Sequence, residues 1–334
     1  MPKQKKNMSI QHLISIDREA KLSIDTGRLK ISFASSGETH FIAACDIAVL
    51  VLAHPCISLS LAVAQELAKN GAVIVTAGDK YMPCAVSCPL GGNADGARRP
   101  FLQAKYLETE TAGSWWAQLI TAKILGQARC CERFDKELGD HLRVIAKNVE
   151  NGDKSAREAQ AAAAYWSVYL RSLGNPVDFR DKQGATDPVN VSLNYGYAVL
   201  RAIIARSLAA AGLCLNFGVG HKRKDNPFNL ADDFIEPFRY LVDEIVWDIF
   251  SNGHYEMFDK EVKKQLLANL LADSVPIAGK IYRLFHGIDF AVNSFCLSLE
   301  DPRRKLLLPN QPPRTGKAAQ AQLWQAEQFQ NAPE

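Results

Sequence analysis

Strong net charge is missing from this 334-residue chain: Lys and Arg total 39 against 36 Asp and Glu, leaving +3 with histidine neutral. That excludes a protein that holds polyanions by overall charge, so any grip on nucleic acid must come from local clusters of Lys and Arg. A C-x-x-C pair is also missing, and no histidine stands at zinc-finger spacing from a cysteine, so the 8 cysteines do not form a zinc module. They fall at 45, 56, 84, 88, 130, 131, 214 and 296, mostly in apolar company such as Ala43-Ala44-Cys45 and Leu213-Cys214-Leu215. Such surroundings predict reduced, structural thiols in a reducing compartment. Cys84-x-x-x-Cys88 is a single pair, short of a zinc site. No long apolar run survives without a charge, since Tyr195 to Phe217 is broken by Arg201 and Arg206 and reads as a buried helix. The basic start, Met1 to Met8, leads into Ser9-Ile10-Gln11-His12 and not into the apolar core of a signal peptide. The expectation is a soluble, cytoplasmic protein without membrane contact. Absent as well are G-x-G-x-x-G, a Walker loop and a G-x-S-x-G elbow, which removes the commonest nucleotide-binding and serine-hydrolase readings.

What is present is an ordinary globular composition, 47% hydrophobic and 22% charged, on a chain long enough for two domains of about 150 residues. The first part has the texture of strands: Leu13-Ile14-Ser15-Ile16, Lys21 to Ile24, Leu29 to Phe33, the continuous run Ile47 to Leu52, and Ala72 to Thr76. A helix from about Ser58 to Lys69 ends on Asn70-Gly71, a glycine C-cap. Gly91-Gly92-Asn93-Ala94-Asp95-Gly96-Ala97-Arg98-Arg99-Pro100 reads as a linker. Beyond it, helical spacing covers Trp115 to Cys131, Ala156 to Leu173, Leu193 to Ala211, Leu230 to Phe250 and Phe258 to Leu271. The expected fold is α+β by segregation: a small β-rich, sandwich-like domain over 1–90, a linker over 91–100, and a larger all-α domain over 101–308. A C-terminal tail follows over 309–334, with Pro312-Pro313 and a Gln/Ala-rich run that predicts fraying.

Three places in the helical part could carry chemistry. Glu158 opens a helix of small residues, Ala159 and Ala161 to Ala164, where little shields its carboxylate; a first-turn Glu favoured by the helix dipole is the plain alternative. His221 follows the tight turn Gly218-Val219-Gly220 and precedes Lys222, Arg223 and Lys224, cations of the kind a phosphodiester would want, or an exposed basic loop. Asp233 and Glu236 lie three apart, on one face of a helix, where mutual repulsion is relieved by a divalent cation. Carboxylates with one imidazole suit Mn²⁺, and Mg²⁺ can use the carboxylates while keeping waters. A solvated acidic turn would look the same. The remaining histidines, at 12, 40, 54, 141, 254 and 286, have no companions at catalytic spacing. Trp115-Trp116 and Tyr165-Trp166 fit packing better than base stacking.

The motifs taken together reach further. Gly152-Asp153 followed by Arg157-Glu158-Ala159-Gln160-Ala161-Ala162 and Tyr165-Trp166; Asn190 with Leu193-Asn194-Tyr195-Gly196-Tyr197; Gly220-His221; and Phe228-Asn229-Leu230-Ala231-Asp232-Asp233-Phe234-Ile235-Glu236-Pro237-Phe238-Arg239 occur in the order and separations of one family. Over roughly residues 10–300 the chain resembles the CRISPR-associated integrases of Cas family one, the spacer-acquisition enzymes, and is most similar to members from type II systems. The resemblance places the family's Glu–His–acid metal triad on Glu158, His221 and Glu236, with Asp233 as a supporting acid. Glu236 stands where many members have Asp, and Lys222-Arg223-Lys224 where close relatives often show a second histidine. It implies a divalent metal, Mg²⁺ or Mn²⁺, and insertion of short DNA fragments into a CRISPR repeat by transesterification, with DNA cutting as the same chemistry using water. It further implies double-stranded DNA as ligand, a homodimer formed through the β-rich domain, and a small partner of Cas family two, with other adaptation or effector proteins as further candidates. Arg98, Arg99, Lys222, Arg223, Lys224, Arg303, Arg304 and Lys305 are the candidate DNA contacts. Two other functions are weighed: a transposon-borne integrase relative, for which the short stretch after Pro309 offers no added DNA-binding domain, and a non-catalytic DNA-binding scaffold, against which the intact acidic and imidazole positions speak.

Overall fold

The computed structural model describes residues 12–16, 18–77, 83–87, 89, 94–252 and 257–310. Its first part holds β1 (His12–Ile16), β2 (Lys21–Asp25), β3 (Arg28–Ser32), β4 (Thr39–Ala43), β5 (Ile47–Leu52), β6 (Ser58–Leu59), helix α1 (Leu61–Lys69), β7 (Val73–Ala77) and β8 (Pro83–Ser87). Strands β2 and β3 meet over a two-residue turn in which Thr26 (φ 48°) and Gly27 (φ 76°) are both left-handed. Two left-handed residues are what a tight hairpin with native strand twist demands. Two four-stranded sheets result, in the orders β4-β3-β2-β6 and β1-β5-β7-β8. In the second, β1, β5 and β7 are parallel and β8 runs against β7.

The run Ile47 to Leu52, expected as a fully buried strand, is one, and its alternation divides two cores. Leu50 and Leu52 face Leu22, Leu29 and Ile31 of the other sheet and Val63 and Leu67 of α1, and Ile47 joins them because the pairing of β5 with β1 shifts register between Ile47 and Val49. Val49 and Val51, with Val73 and Val75 of β7, point the other way and belong to the core of the helices. A period of two makes this division unavoidable once both faces are covered.

The larger part comprises α2 (Ala94–Tyr106), α3 (Glu110–Cys131), α4 (Lys136–Lys147), α5 (Arg157–Ser172), α6 (Pro188–Ala210), α7 (Asn229–Ile235), α8 (Arg239–Asn252), α9 (Lys260–Ala272), β9 (Ser274–Ile277), β10 (Lys280–Arg283) and α10 (Leu284–Glu300). Three expectations need correction. The segment expected as linker is helical from Ala94, with Pro100 inside the helix. Tertiary anchors override its poor propensity: Arg99 donates to the Ala211 carbonyl, and Gln103 exchanges hydrogen bonds with Cys214 at 3.1 and 2.8 Å. The larger part is not all helix, since β9 and β10 form an antiparallel hairpin. The single helix expected over Leu230 to Phe250 is broken by a 3-10 turn at Glu236–Phe238, because Pro237 has no N–H to continue the ladder. That break sets Glu236 at a junction between two helices. Among the described residues no helix is long and apolar enough to cross a membrane.

The thiols divide by burial. Cys130, Cys131 and Cys296 are buried as expected, but Cys45 and Cys56 are exposed and Cys214 is half-buried, so the apolar neighbours of Cys45 in sequence do not cover it in space. Successive residues of a chain need not share a face. Cys88 lies outside the described residues, and so does the side chain of Cys84. The tail beyond residue 310 lies outside them too.

Candidate active site

Asp233, fully buried on α7, organises one side of the site. Its Oδ2 accepts the backbone N–H groups of Val219 (2.5 Å) and Gly220 (3.2 Å), and its Oδ1 accepts the backbone N–H of His221 (2.8 Å) and faces the ring nitrogen His221 Nδ1 at 2.8 Å. The loop Gly218-Val219-Gly220-His221 is thus wrapped around one carboxylate. Only glycine permits the wrap: a Cβ on Gly218 would strike the His221 carbonyl, and one on Gly220 would fall inside the Trp116 indole. Trp116 meets the His221 ring edge to face at 5.5 Å. An ionised Asp233 fixes the proton on Nδ1 and leaves Nε2 as the lone-pair nitrogen. The hydrogen bond to Asp233 raises the His221 pKa against the effect of burial, and the charges of Asp233 and Glu236 add to the rise. Gly220→Ala is expected to lower stability by about 1–3 kcal/mol through overpacking and to shift the Trp fluorescence; denaturant unfolding followed at both far-ultraviolet and Trp wavelengths checks it.

Glu158 sits in the first turn of α5, as its sequence context predicts. The preceding turn places Gly152, Asp153 and Ala156 at positive φ (74°, 51° and 51°), turning the chain sharply into the helix. Asp153 then caps it, accepting Arg157 N at 2.8 Å and Glu158 N at 3.0 Å. The Gly152-Asp153 motif therefore aims Glu158. Across from it, Glu236 is 2% exposed. One ammonium joins the two carboxylates: Lys123 Nζ of α3 lies 2.5 Å from Glu158 Oε1 and 2.7 Å from Glu236 Oε2. Arg239 Nε adds a contact of 2.9 Å to the same Glu236 oxygen. Burial alone would raise the Glu236 carboxyl, but Arg239 and Lys123 outweigh it and hold the pKa at about 2.

Behind Arg239 lies a buried polar network. Asp243, 1% exposed on α8, accepts the hydroxyls of Tyr165 (3.0 Å) and Tyr197, while the Tyr169 hydroxyl donates to the Asp243 carbonyl at 2.8 Å. The guanidinium of Arg239 stacks over Tyr197, 4.6 Å from the ring centroid, and that of Arg180 lies over the same ring at 5.4 Å. Arg180 is itself fixed by Asn190 (2.9 Å) and Asn194 (2.5 Å) of α6, which accounts for the polar positions in Asn190…Leu193-Asn194-Tyr195-Gly196-Tyr197.

The structure therefore brings Glu158 and Glu236 together on one cation, and it sets His221 within reach of the Glu236 charge with Asp233 behind it. Asp233 gives its oxygens to the loop, in keeping with a supporting acid. Lys123, Arg239, Asp243, Arg180 and Lys182 escaped the sequence reading. Arg239 had a signal, three residues after Glu236, and Lys123 a weaker one, as a lone charge within Ile120-Thr121-Ala122-Lys123-Ile124-Leu125. Burial lowers the Lys182 pKa, and the charges of Arg239 and Lys123 lower it further. Several candidate DNA contacts are engaged within the chain: Lys222 with Glu108 (3.3 Å), Arg223 with Asp225 (2.8 Å), Arg303 with Asp301 (2.8 Å) and Arg304 with Asp301 (3.8 Å). Arg99 is spent on the Ala211 carbonyl. Arg98, Lys224 and Lys305 are exposed.

Among the described residues no three of His, Cys, Asp and Glu stand together at metal-binding reach. The donor set nonetheless fits a hard divalent ion, because an ammonium already bridges its two carboxylates where a cation is wanted, and the His221 tautomer presents Nε2.

A family model described as CRISPR associated protein Cas1 matches residues 13–274. The CRISPR-associated endonuclease Cas1 of Neisseria meningitidis serogroup C (strain 8013) is 32% identical over 293 residues, 87% of this chain and 93% of its own. A CRISPR-associated endonuclease Cas1 of Pyrobaculum aerophilum is 31% identical over 246 residues, 68% of this chain and 81% of its own. Among solved structures, a casposase bound to integration product superposes with a TM-score of 0.74 at 19% identity, covering 92% of this chain and 94% of that one. A Cas1 protein from Thermotoga maritima gives 0.72 at 14%, covering 90% and 100%. At those identities the two structures speak for the fold.

Proposed function

Because this chain belongs to the Cas1 family of CRISPR-associated proteins, we propose that it is a metal-dependent DNA integrase and endonuclease of CRISPR adaptation. Its reaction joins the 3′-hydroxyl end of a short DNA duplex to a phosphodiester at the edge of the repeat. A new P–O bond forms to the attacking 3′-oxygen, the bond to the displaced 3′-oxygen breaks, and the attacking hydroxyl's proton passes to solvent while the departing oxygen takes one up. No covalent enzyme intermediate is required, in keeping with a site of carboxylates, imidazole and cations.

The observation that carries the reading is the convergence of Glu158 and Glu236 on one ammonium beside a histidine oriented by Asp233. Glu158, Glu236 and His221 Nε2 would hold Mg²⁺ or Mn²⁺, which supplies Lewis-acid stabilisation of charge on the phosphate oxygens. The chain's own residues do the rest. Asp233 keeps the imidazole in one tautomer and one orientation, and Trp116 closes the ring's edge. Arg239, backed by Tyr197, keeps Glu236 ionised and pointed. Lys182, exposed, would add positive charge for a phosphodiester. The exposed Arg98, Lys224 and Lys305 would hold DNA.

Integration at both ends of one repeat needs two active sites at a fixed span, which supports a homodimer paired through the β-rich, sandwich-like domain and bridged by a small Cas2 partner. In a solved Cas6-RT-Cas1–Cas2 complex, 36% of one chain has the fold of this one, covering 89% of this chain with a TM-score of 0.72 at 15% identity. The setting is the cytoplasm of a prokaryote with a type II system.

A supercoiled plasmid carrying a CRISPR repeat, incubated with a 3′-hydroxyl duplex and Mg²⁺ or Mn²⁺, with and without the Cas2 partner, tests the proposal. Covalent joining that needs the metal and the 3′-hydroxyl, and that is lost in His221→Ala, is expected. DNA binding with neither joining nor cutting under any metal would replace the enzyme with a DNA-binding scaffold.

A further inference from the structure

Lys123 is unusual among the lysines of this chain. Its side chain is 11% exposed, and both of its ion pairs are made to carboxylates of the candidate metal site. The two contacts, 2.5 and 2.7 Å, fall on Glu158 Oε1 and Glu236 Oε2, one oxygen from each acid. Glu158 and Glu236 carry two negative charges, and Lys123 and Arg239 two positive, so the quartet is neutral as it stands. A divalent ion added to it leaves a half-buried cluster with an excess of two positive charges. The ion also needs carboxylate oxygens at about 2.0–2.6 Å, and an ammonium hydrogen-bonded to those same oxygens stands in its way.

Arg239 cannot yield. Its guanidinium is planar, lies over the Tyr197 ring and is bonded to Glu236 at 2.9 Å. Lys123 can, because an ammonium on a four-carbon stem swings without breaking a second set of contacts. Once displaced from the two carboxylates it needs another anion, and a phosphodiester oxygen is the one the reaction brings.

We infer that Lys123 is the cation that holds Glu158 and Glu236 together within the ligand set, and that a divalent ion displaces it toward a DNA phosphate. This rests on the metal site proposed above. It makes metal and DNA binding mutually reinforcing: the phosphate gives the displaced ammonium a new anion, so DNA raises metal affinity and metal raises DNA affinity by the same factor.

Two measurements on the purified chain test it. Reductive methylation of the wild type is read residue by residue, without metal and with Mg²⁺. Lys123 is expected to be protected without metal and labelled about tenfold faster with it, a coupling of ordinary size. Calorimetric titration with Mn²⁺ is then run on the wild type, Lys123→Met, Lys123→Arg and Glu158→Gln. Lys123→Met is expected to bind Mn²⁺ about tenfold more tightly than the wild type while unfolding at a lower temperature in EDTA; Lys123→Arg restores the wild-type affinity. A merely structural lysine would lower the unfolding temperature without tightening the metal. Mn²⁺ binding that requires Glu158, combined with unchanged Lys123 labelling and unchanged affinity in Lys123→Met, overturns this inference and leaves the metal site standing. No Mn²⁺ binding by the wild type overturns both. The labelling arm uses the wild-type fold, so it decides the matter even if Lys123→Met is too unstable to titrate.

Discussion

Glu158→Gln loses DNA joining and cutting by on the order of 10³-fold, the worth of a Lewis-acid ligand at several kcal/mol, while its thermal unfolding stays close to wild type. Glu236→Gln loses as much activity and is also destabilised, by about 3–5 kcal/mol as for the broken buried ion pairs that serve as precedent. The asymmetry follows from burial and partners. The Glu158 side chain is 31% exposed and shares only Lys123, whereas that of Glu236 is 3% exposed and is held by both Lys123 and Arg239. Removing its charge leaves two cations facing each other with one remaining carboxylate between them. The plasmid assay run beside calorimetric unfolding separates the two readouts. Glu158→Ala joining DNA at the wild-type rate would show that the metal site lies elsewhere.

Asp243→Ala is expected to cost about 3–5 kcal/mol, because the hydroxyls of Tyr165 and Tyr197 lose a buried acceptor and the nearby Arg180 and Arg239 lose an anion. Asp243→Asn keeps an acceptor and reports on charge alone. Burial raises the Asp243 pKa from 3.8 to about 6, although the tyrosine hydroxyls and the two arginines pull it down. A carboxyl raised in the folded state holds a proton there that the unfolded chain has released. Its contribution to stability is therefore full below about pH 4 and falls away as pH rises through about 6. A displacement from 3.8 to about 6 is worth about 3 kcal/mol. From pH 4 to pH 7 the stability of Asp243→Asn should thus gain on the wild type by about that amount, as measured by urea unfolding at each pH. Two parallel pH curves would mean that Asp243 is ionised throughout.

Much of the fold was legible where periodicity and burial coincide. Ile47 to Leu52 reads as a doubly covered strand and is one, and α3, α5 and α6 begin within a few residues of where their spacing places them. The edge strands were not legible. In β4 the first three residues, Thr39, His40 and Phe41, are exposed, so no apolar alternation marks it. Strand β6 is two residues long and runs into the helix that its neighbours predict. Helix α4 did carry a signal, an Asp135 cap whose carboxylate accepts the Leu138 N–H at 2.9 Å and a stripe of Leu142 and Ile145. In the site, the motif positions Glu158, His221, Asp233 and Glu236 were visible because short-range chemistry fixes each one: a cap, a glycine loop, a proline break. Lys123 and Asp243 owe their meaning to partners 35 and 78 residues away. No local pattern records such pairings.

The shared sheet has a consequence for anyone who cuts or recombines this chain. Strands β5 and β7 give every other side chain to the small core and the rest to the helices, and Arg206 of α6 reaches the Gly71 carbonyl at 3.3 Å. A fragment ending near residue 90 would expose Val49, Val51, Val73 and Val75 as a bare valine face, and the complementary fragment would bare the surface of α6 that covers it. Chimaeras between relatives should therefore place their crossover so that β5, β7 and α6 come from one parent, even though more than a hundred residues of chain separate β7 from the end of α6. The unit of inheritance is the packed seam, which the order of the sequence cuts in two.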